Sequence, residues 1–148
     1  MISVTCQYAL RALIKLAERG PGESALGAEL AEAAGVPRNY LSKILHALKR
    51  VGIISTARGT GGGYWLTRKP EDIRLIEVVT VFDGPQSATG CLLESTGKDC
   101  SDESPCSAHA EWKAVRERYY HFLVGTSLAA ITHKAAGKPP SNQAHVYA

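Results

Sequence analysis

Long apolar runs are missing from this chain. No stretch approaches the ~20 consecutive apolar residues that a membrane-spanning helix needs. The N-terminus lacks the basic start, apolar middle and small-residue cleavage site of a secretory signal, so the sequence reads as cytoplasmic, with no membrane partner. Catalytic groupings are missing as well. There is no Ser/His/Asp set, no zinc-protease helix motif and no paired-carboxylate spacing, and His121, His133 and His145 are scattered, which argues against an enzyme. Cysteine is scarce, four in 148 residues; in a reducing compartment that points to a metal or redox site rather than a disulfide framework. Acid is scarce in the first half: residues 1–70 carry ten Lys/Arg against four Asp/Glu, a charge of +6, whereas residues 71–148 carry −3. A basic first half is the electrostatic footprint of a nucleic-acid-binding module. An apolar fraction of 45% and a charged fraction of 21% are ordinary for one small domain with an appendage.

Three of the four cysteines lie close together. Cys91, Cys100, Cys106 and His109 read C-x8-C-x5-C-x2-H, in a segment from Gly84 to Ser107 rich in Gly, Ser, Pro and Asp. Clustered thiols on a loop are the donor set of a metal or iron–sulfur centre. Cys3His is also a structural zinc set, but the paired C-x2-C of most zinc sites is absent, and wide spacing suits a cluster whose irons lie apart. A metal-free thiol switch is less favoured, because Asp83, Glu94, Asp99, Asp102 and Glu103 outnumber Lys98 and negative neighbours raise a thiol's pKa. The same acids should lower a cluster's reduction potential.

The first half reads as helices and a hairpin. Thr5 can cap a helix running to about Arg19, with Ala9, Leu13 and Leu16 on one face, ended by Gly20-Pro21-Gly22. Leu26 to Ala34 is a second helix, and Gly35 sits where a left-handed cap is expected. Pro37 suits the first turn of a third helix to about Arg50. Leu41, Ile44, Leu45 and Leu48 form its apolar face; Asn39, Ser42, Lys43, His46, Lys49 and Arg50 lie opposite. A short helix, a glycine turn and an amphipathic helix with basic groups outward make a helix-turn-helix. The residues that would meet base edges are Arg38, Asn39, Tyr40, Ser42 and Lys43.

Two strand-like runs follow, Ile53 to Ala57 and Tyr64 to Thr67, separated by Gly59-Thr60-Gly61-Gly62-Gly63. The pair predicts a hairpin, the wing of a winged helix. Gly61, Gly62 and Gly63 would let backbone approach a phosphate, beside Tyr64, and Arg58 can reach into the minor groove. The glycine run is not a nucleotide loop: no Gly-Lys-Ser/Thr ends it, and Tyr64-Trp65 continue into a strand rather than a helix.

Residues 1–70 thus form a winged helix-turn-helix and 71–106 a connecting helix (Leu75 to Phe82) with the cysteine loop. Residues 107–135 form a long helix with a final turn capped by Thr126 or Ser127, and 136–148 a disordered tail. The fold class is mainly α with a small β-hairpin. The long helix carries Trp112, Val115, Tyr119 and Phe122 in steps of three and four, a seam suited to pairing with a second copy. A dimer would set two reading helices on two half-sites.

Several blocks resemble the Rrf-two family of winged-helix transcriptional regulators. They are Tyr8-Ala9-Leu10-Arg11-Ala12-Leu13, Val36-Pro37-Arg38-Asn39-Tyr40-Leu41, Arg58-Gly59-Thr60-Gly61-Gly62-Gly63-Tyr64-Trp65-Leu66, and Asp83-Gly84-Pro85 ahead of the cysteines, over roughly residues 1–132. The resemblance implies a homodimer, crossed by the long helix, that binds a palindromic operator on double-stranded DNA, most often as a repressor. It places Asn39, Tyr40, Ser42 and Lys43 against DNA and Arg58 at the minor groove. It implies an iron–sulfur cluster, [2Fe–2S] in preference to [4Fe–4S], on Cys91, Cys100 and Cys106, with zinc or no metal as the alternative. In IscR-like members the fourth ligand is a His two residues beyond the last Cys, which fits His109. In NsrR-like members it is an acid near the partner's N-terminus, where this chain has Gln7 beside Cys6. Cluster-binding relatives usually have five residues between the first two cysteines, and this chain has eight; loop closure makes that cost only a few tenths of a kcal/mol, roughly. Some family members carry no cluster and respond to a small molecule or a protein partner.

Overall fold

The computed structural model describes residues 2–85, 90–93 and 100–132. Helix α1 (Val4–Arg19) is capped by Ser3, not by Thr5: the Ser3 hydroxyl accepts from the Cys6 N–H at 3.1 Å. The reason is tertiary. Ser3 also donates its backbone N–H to Asp83 at 2.8 Å, and its hydroxyl to the same carboxylate, so the start of α1 is tied to the end of a later helix. Helix α2 (Gly27–Ala34) ends on Gly35 at φ 63°, the left-handed cap predicted. Pro37 stands one place outside α3 (Arg38–Arg50) as its N-cap. Every apolar position predicted for α3 is buried: Leu41, Ile44, Leu45 and Leu48.

Strands β1 (Ile54–Ala57) and β2 (Gly63–Leu66) pair antiparallel, Ile54 opposite Leu66 and Ala57 opposite Gly63. A third strand-like contact joins them. Tyr64 donates to the Ala25 carbonyl at 2.8 Å and accepts from the Ala25 N–H at 2.9 Å, which docks the hairpin on the segment before α2. Gly63 makes this possible. Its φ is 131°, and a Cβ there would stand 2.7 Å from the Ala25 oxygen.

A 3-10 turn at Pro70–Asp72 leads into α4 (Leu75–Asp83). After the cysteine segment come α5 (His109–Gly125) and α6 (Leu128–Ile131). Ser127 caps α6, and the chain around it returns to the core: Leu128 donates to the Ile73 carbonyl at 2.8 Å and Leu75 to that of Thr126 at 3.0 Å. One apolar core joins α1, α2, α3, the start of the hairpin, α4, Leu123 and Leu128. Each fully buried Leu, Ile or Val contributes about 1.5–3 kcal/mol from burial alone.

The predicted seam of α5 divides. Trp112 is half-buried and Tyr119 packs on the core, whereas Val115 and Phe122 are 53% and 51% exposed. The inward face is Trp112, Arg116, Tyr119 and Leu123, spaced for a straight α-helix packing on its own domain. Leu123 is the one fully buried residue of α5. The tail assigned to 136–148, with His133 and His145, lies outside the described residues, as do Glu94, Lys98 and Asp99.

Candidate nucleic-acid interface and metal centre

Two sites emerge, at opposite ends of the sequence argument. The first is the outer face of α3 with the wing. Burying Leu41, Ile44, Leu45 and Leu48 forces the intervening positions outward, so Arg38, Asn39, Tyr40, Ser42 and Lys43 are all exposed. Tyr40 stands edge-on to Tyr8, ring centroids 6.3 Å apart, and Arg11 lies 5.6 Å over the Tyr8 ring. A cleft of about 470 Å³ runs between α3 and the wing, lined by Ser42, His46 and Lys49 on one side and Thr56, Arg58 and Tyr64 on the other. The sequence placed His46 and Lys49 on the outward face of α3 without assigning them to DNA, and did not single out Thr56. The available signal was that Ser42, His46 and Lys49 share one helical stripe.

The wing glycines differ in their work. Gly61 has φ 78° and open space around it. The Gly62 amide is engaged in the turn, donating to Gly59 at 2.9 Å, and its carbonyl accepts from the Ser24 hydroxyl at 3.1 Å. Gly63 is the close-approach point against Ala25, and the Tyr64 ring is half-buried. Gly62 and Gly63 therefore shape the wing, and Gly61 with Arg58 lies at its exposed edge. Arg68, at the wing's other end, turns inward: it pairs with Glu77 at 2.6 Å and donates to the Asp72 carbonyl at 3.0 Å. Partial burial favours a neutral Glu77, but the bonds from Arg68 and the Arg74 N–H outweigh it and hold Glu77 below the usual carboxylate range.

The second site is the cysteine segment. Helix α5 holds its beginning, since the Trp112 indole donates to the Gly90 carbonyl, beside Cys91, at 2.8 Å. A tight turn at Ser101–Ser104 folds the chain back, and the His109 N–H donates to the Cys106 carbonyl at 3.0 Å as α5 begins. The Sγ atoms of Cys91, Cys100 and Cys106 consequently all lie within 4.8 Å of one another. Cys91 and Cys106 are 3.8 Å apart, and His109 Nδ1 is 3.0 Å from Cys100 Sγ. The three predicted cysteine ligands are thus brought together, with His109 against Cys100. Cys6 stands apart, wholly buried in the core, and burial with the nearby Asp83 charge pushes its thiol up to about 12. Gln7 is exposed, its amide reaching the Ile2 carbonyl at 3.4 Å.

The electrostatics differ from what the acid count suggests. Asp102 receives His109 Nε2 at 2.9 Å and Lys113 Nζ at 2.8 Å, so its charge is matched locally, and Lys113 holds it down at about 2. The Cys106 N–H and His109 lower the Cys100 thiol to about 7, whereas the bond to Cys100 raises that of Cys106. His109 is raised, chiefly by Asp102. Asp102 therefore does not make this segment hostile to thiolate, because its charge is spent on His109 and Lys113. Three soft sulfur donors and one imidazole fit zinc, iron or an iron–sulfur centre. No helix among the described residues is long and apolar enough to cross a membrane.

Comparison with known proteins agrees with this architecture. A family profile described as "Rrf2: Iron-dependent Transcriptional regulator" matches residues 2–134. An rrf2-like HTH-type transcriptional regulator of Rhodobacter capsulatus is 34% identical over 94% of this chain and 95% of its own. The HTH-type transcriptional regulator IscR of Xenorhabdus nematophila is 32% identical over 84% of this chain and 74% of its own. Among solved structures, CymR, the global cysteine regulator of B. subtilis, superposes with a TM-score of 0.73 at 24% identity, over 89% of this chain and 95% of its own. T. potens IscR does so with a TM-score of 0.67 at 25% identity, over 88% and 84%. These relatives are regulators and not enzymes. With a basic helix-turn-helix, a docked wing and a profile spanning nearly all of the described chain, this protein belongs to the Rrf2 family of DNA-binding transcriptional regulators.

Proposed function

We propose that this regulator is a cytoplasmic homodimer whose grip on a palindromic operator is set by an iron–sulfur centre, [2Fe–2S] in preference to [4Fe–4S], held by Cys91, Cys100, Cys106 and His109. One observation carries the reading: three thiols within 4.8 Å of one another on a segment with no other evident task. When bound, such a centre supplies an inorganic core sensitive to redox state, nitric oxide and iron supply. The chain's own residues supply the rest. Trp112 and Arg116 hold Gly90 against α5, and the last ligand is the first residue of α5, so the segment starts and ends on one helix. Asp83, at the segment's other root, holds Ser3 at the start of α1. Ordering the thiols therefore bears on α5, whose exposed Val115 and Phe122 face outward for a second copy, and on the helix under α3. In the dimer, α5 packing sets the separation of the two α3 helices. Arg38, Asn39, Tyr40, Ser42 and Lys43 then read the major groove, while Arg58 reaches into the minor groove and Gly61 at the exposed edge of the wing follows the adjacent backbone.

A second reading has its own observation. Thiolates about 2.3 Å from one tetrahedral metal stand about 3.8 Å from each other, the Cys91–Cys106 separation. As they lie, these sulfurs suit one metal ion, zinc or iron, and a two-iron centre requires part of the set to spread.

Anaerobic purification followed by the visible spectrum, iron, zinc and acid-labile sulfide decides between them. The cluster reading expects colour with iron and sulfide in equal amounts, lost in Cys91→Ser, Cys100→Ser or Cys106→Ser together with redox-dependent operator binding. Colourless protein with one zinc supports the second reading. Protein without metal, binding its operator regardless of iron and oxidant, overturns both in favour of a repressor governed by a small molecule or partner protein. Arg58→Ala should weaken operator binding and reduce the slope of log K against log[salt] by about one.

A further inference from the structure

Resting on the metal-centre reading, we propose that Asp102, clamped by Lys113, is the positioning residue of the centre: it fixes the ring of His109 so that Nδ1 is presented to the thiols. Four observations align. His109 Nδ1 faces Cys100 Sγ at 3.0 Å. The opposite ring nitrogen, Nε2, meets Asp102 Oδ1 at 2.9 Å. Both Asp102 oxygens lie 2.8 Å from Lys113 Nζ. Lys113 stands one helical turn beyond His109 on α5, on the same face. The side chains are graded from inside outward, His109 at 11% exposure, Lys113 at 42% and Asp102 at 70%.

The chemistry follows from the two nitrogens of an imidazole. One can offer a lone pair to a metal only if the proton resides on the other, and a carboxylate accepting from Nε2–H holds it there. The same bond stops ring rotation and makes Nδ1 a stronger donor. Asp102 could swing freely at its exposure; Lys113, on the rigid helix that also carries His109, removes that freedom. An exposed surface ion pair such as Asp102–Lys113 is ordinarily worth little for stability. Here its geometric effect is delivered to a ligand.

The test compares anaerobically iron- and sulfide-loaded wild-type protein with Asp102→Asn, Asp102→Glu, Lys113→Met and His109→Ala. Two quantities are read, the rate at which a chelator strips the centre and its reduction potential. Asp102→Asn should lose the centre about 10–100 times faster, at a potential above that of wild type, because a donor is weakened and a negative charge removed. Asp102→Glu should return both close to wild type, and Lys113→Met should speed stripping by a smaller factor. If Asp102→Asn matches wild type in both quantities while His109→Ala differs, the inference falls and the metal reading stands. If His109→Ala matches wild type, the inference falls whatever Asp102→Asn does. Wild-type protein that takes up neither iron nor zinc overturns both. Asp102 is 70% exposed and lies outside the apolar core, so its variants should keep the fold and the comparison remains readable.

Discussion

The reading head and the cysteine segment are built by different forces. The buried residues up to Val79 belong to the winged module, to Ile73 and to α4, with Leu123 and Leu128 added from the C-terminal side. From Gly90 to Phe122 none of the described residues is fully buried; bonds such as Trp112 to Gly90 and Lys113 to Asp102 hold that stretch instead. An apolar core resists local opening, and a polar network on the surface does not. Under the proposed function a regulator gains from this division: the part that holds its shape on DNA is close-packed, and the proposed sensing segment is inexpensive to rearrange.

Cysteine chemistry offers the sharpest way to break that comparison. In chelator-treated protein, maleimide should label Cys91, Cys100 and Cys106 directly, while Cys6 reacts only through opening of the core, slower by roughly three orders of magnitude or more. Peptide mass mapping over time reads this, and equal rates at all four positions would mean that the core is not what separates them. Next in size is a pair of substitutions. Leu48→Ala, at a fully buried site, should cost about 2–5 kcal/mol in urea unfolding. Cys106→Ser in metal-free protein should cost within about 0.5 kcal/mol.

Smaller still is a contrast within the wing. Gly63→Ala drives a Cβ toward the Ala25 carbonyl at positive φ and should cost about 1–3 kcal/mol. Gly61→Ala, also at positive φ but in open space, should cost less, about 1 kcal/mol. The smallest effect concerns Glu77. Its folded pKa is lowered, so its contribution is present above the unfolded pKa of about 4.3 and is lost as pH falls through the folded value. At pH 7, Glu77→Gln should lower stability by less than about 1 kcal/mol, since the pair with Arg68 is more than a third exposed. The gap between the variant and wild type should close toward pH 3; a gap that stays constant would mean the Arg68 pair contributes nothing.

Short-range pattern alone determined much of this protein. The 3.6-residue period in α3 named its four buried residues and, by exclusion, the exposed reading face. Gly35 marked a turn that only a residue without Cβ enters easily, and the cysteine spacing named the three thiols now found together. These signals are legible because each depends on neighbours a few residues away.

Long-range contacts decided the rest. Ser3 displaced Thr5 as the cap because Asp83, eighty residues on, was there to meet it. The α5 seam divided because Leu123 and Tyr119 found the core while Val115 and Phe122 did not. Gly63 owes its necessity to Ala25 rather than to the turn it was assigned to. Asp102, counted in the sequence as one more repelling acid, became the partner of His109 and Lys113. A residue's chemistry is written in the chain, but its charge environment and its packing partner exist only once distant segments have met.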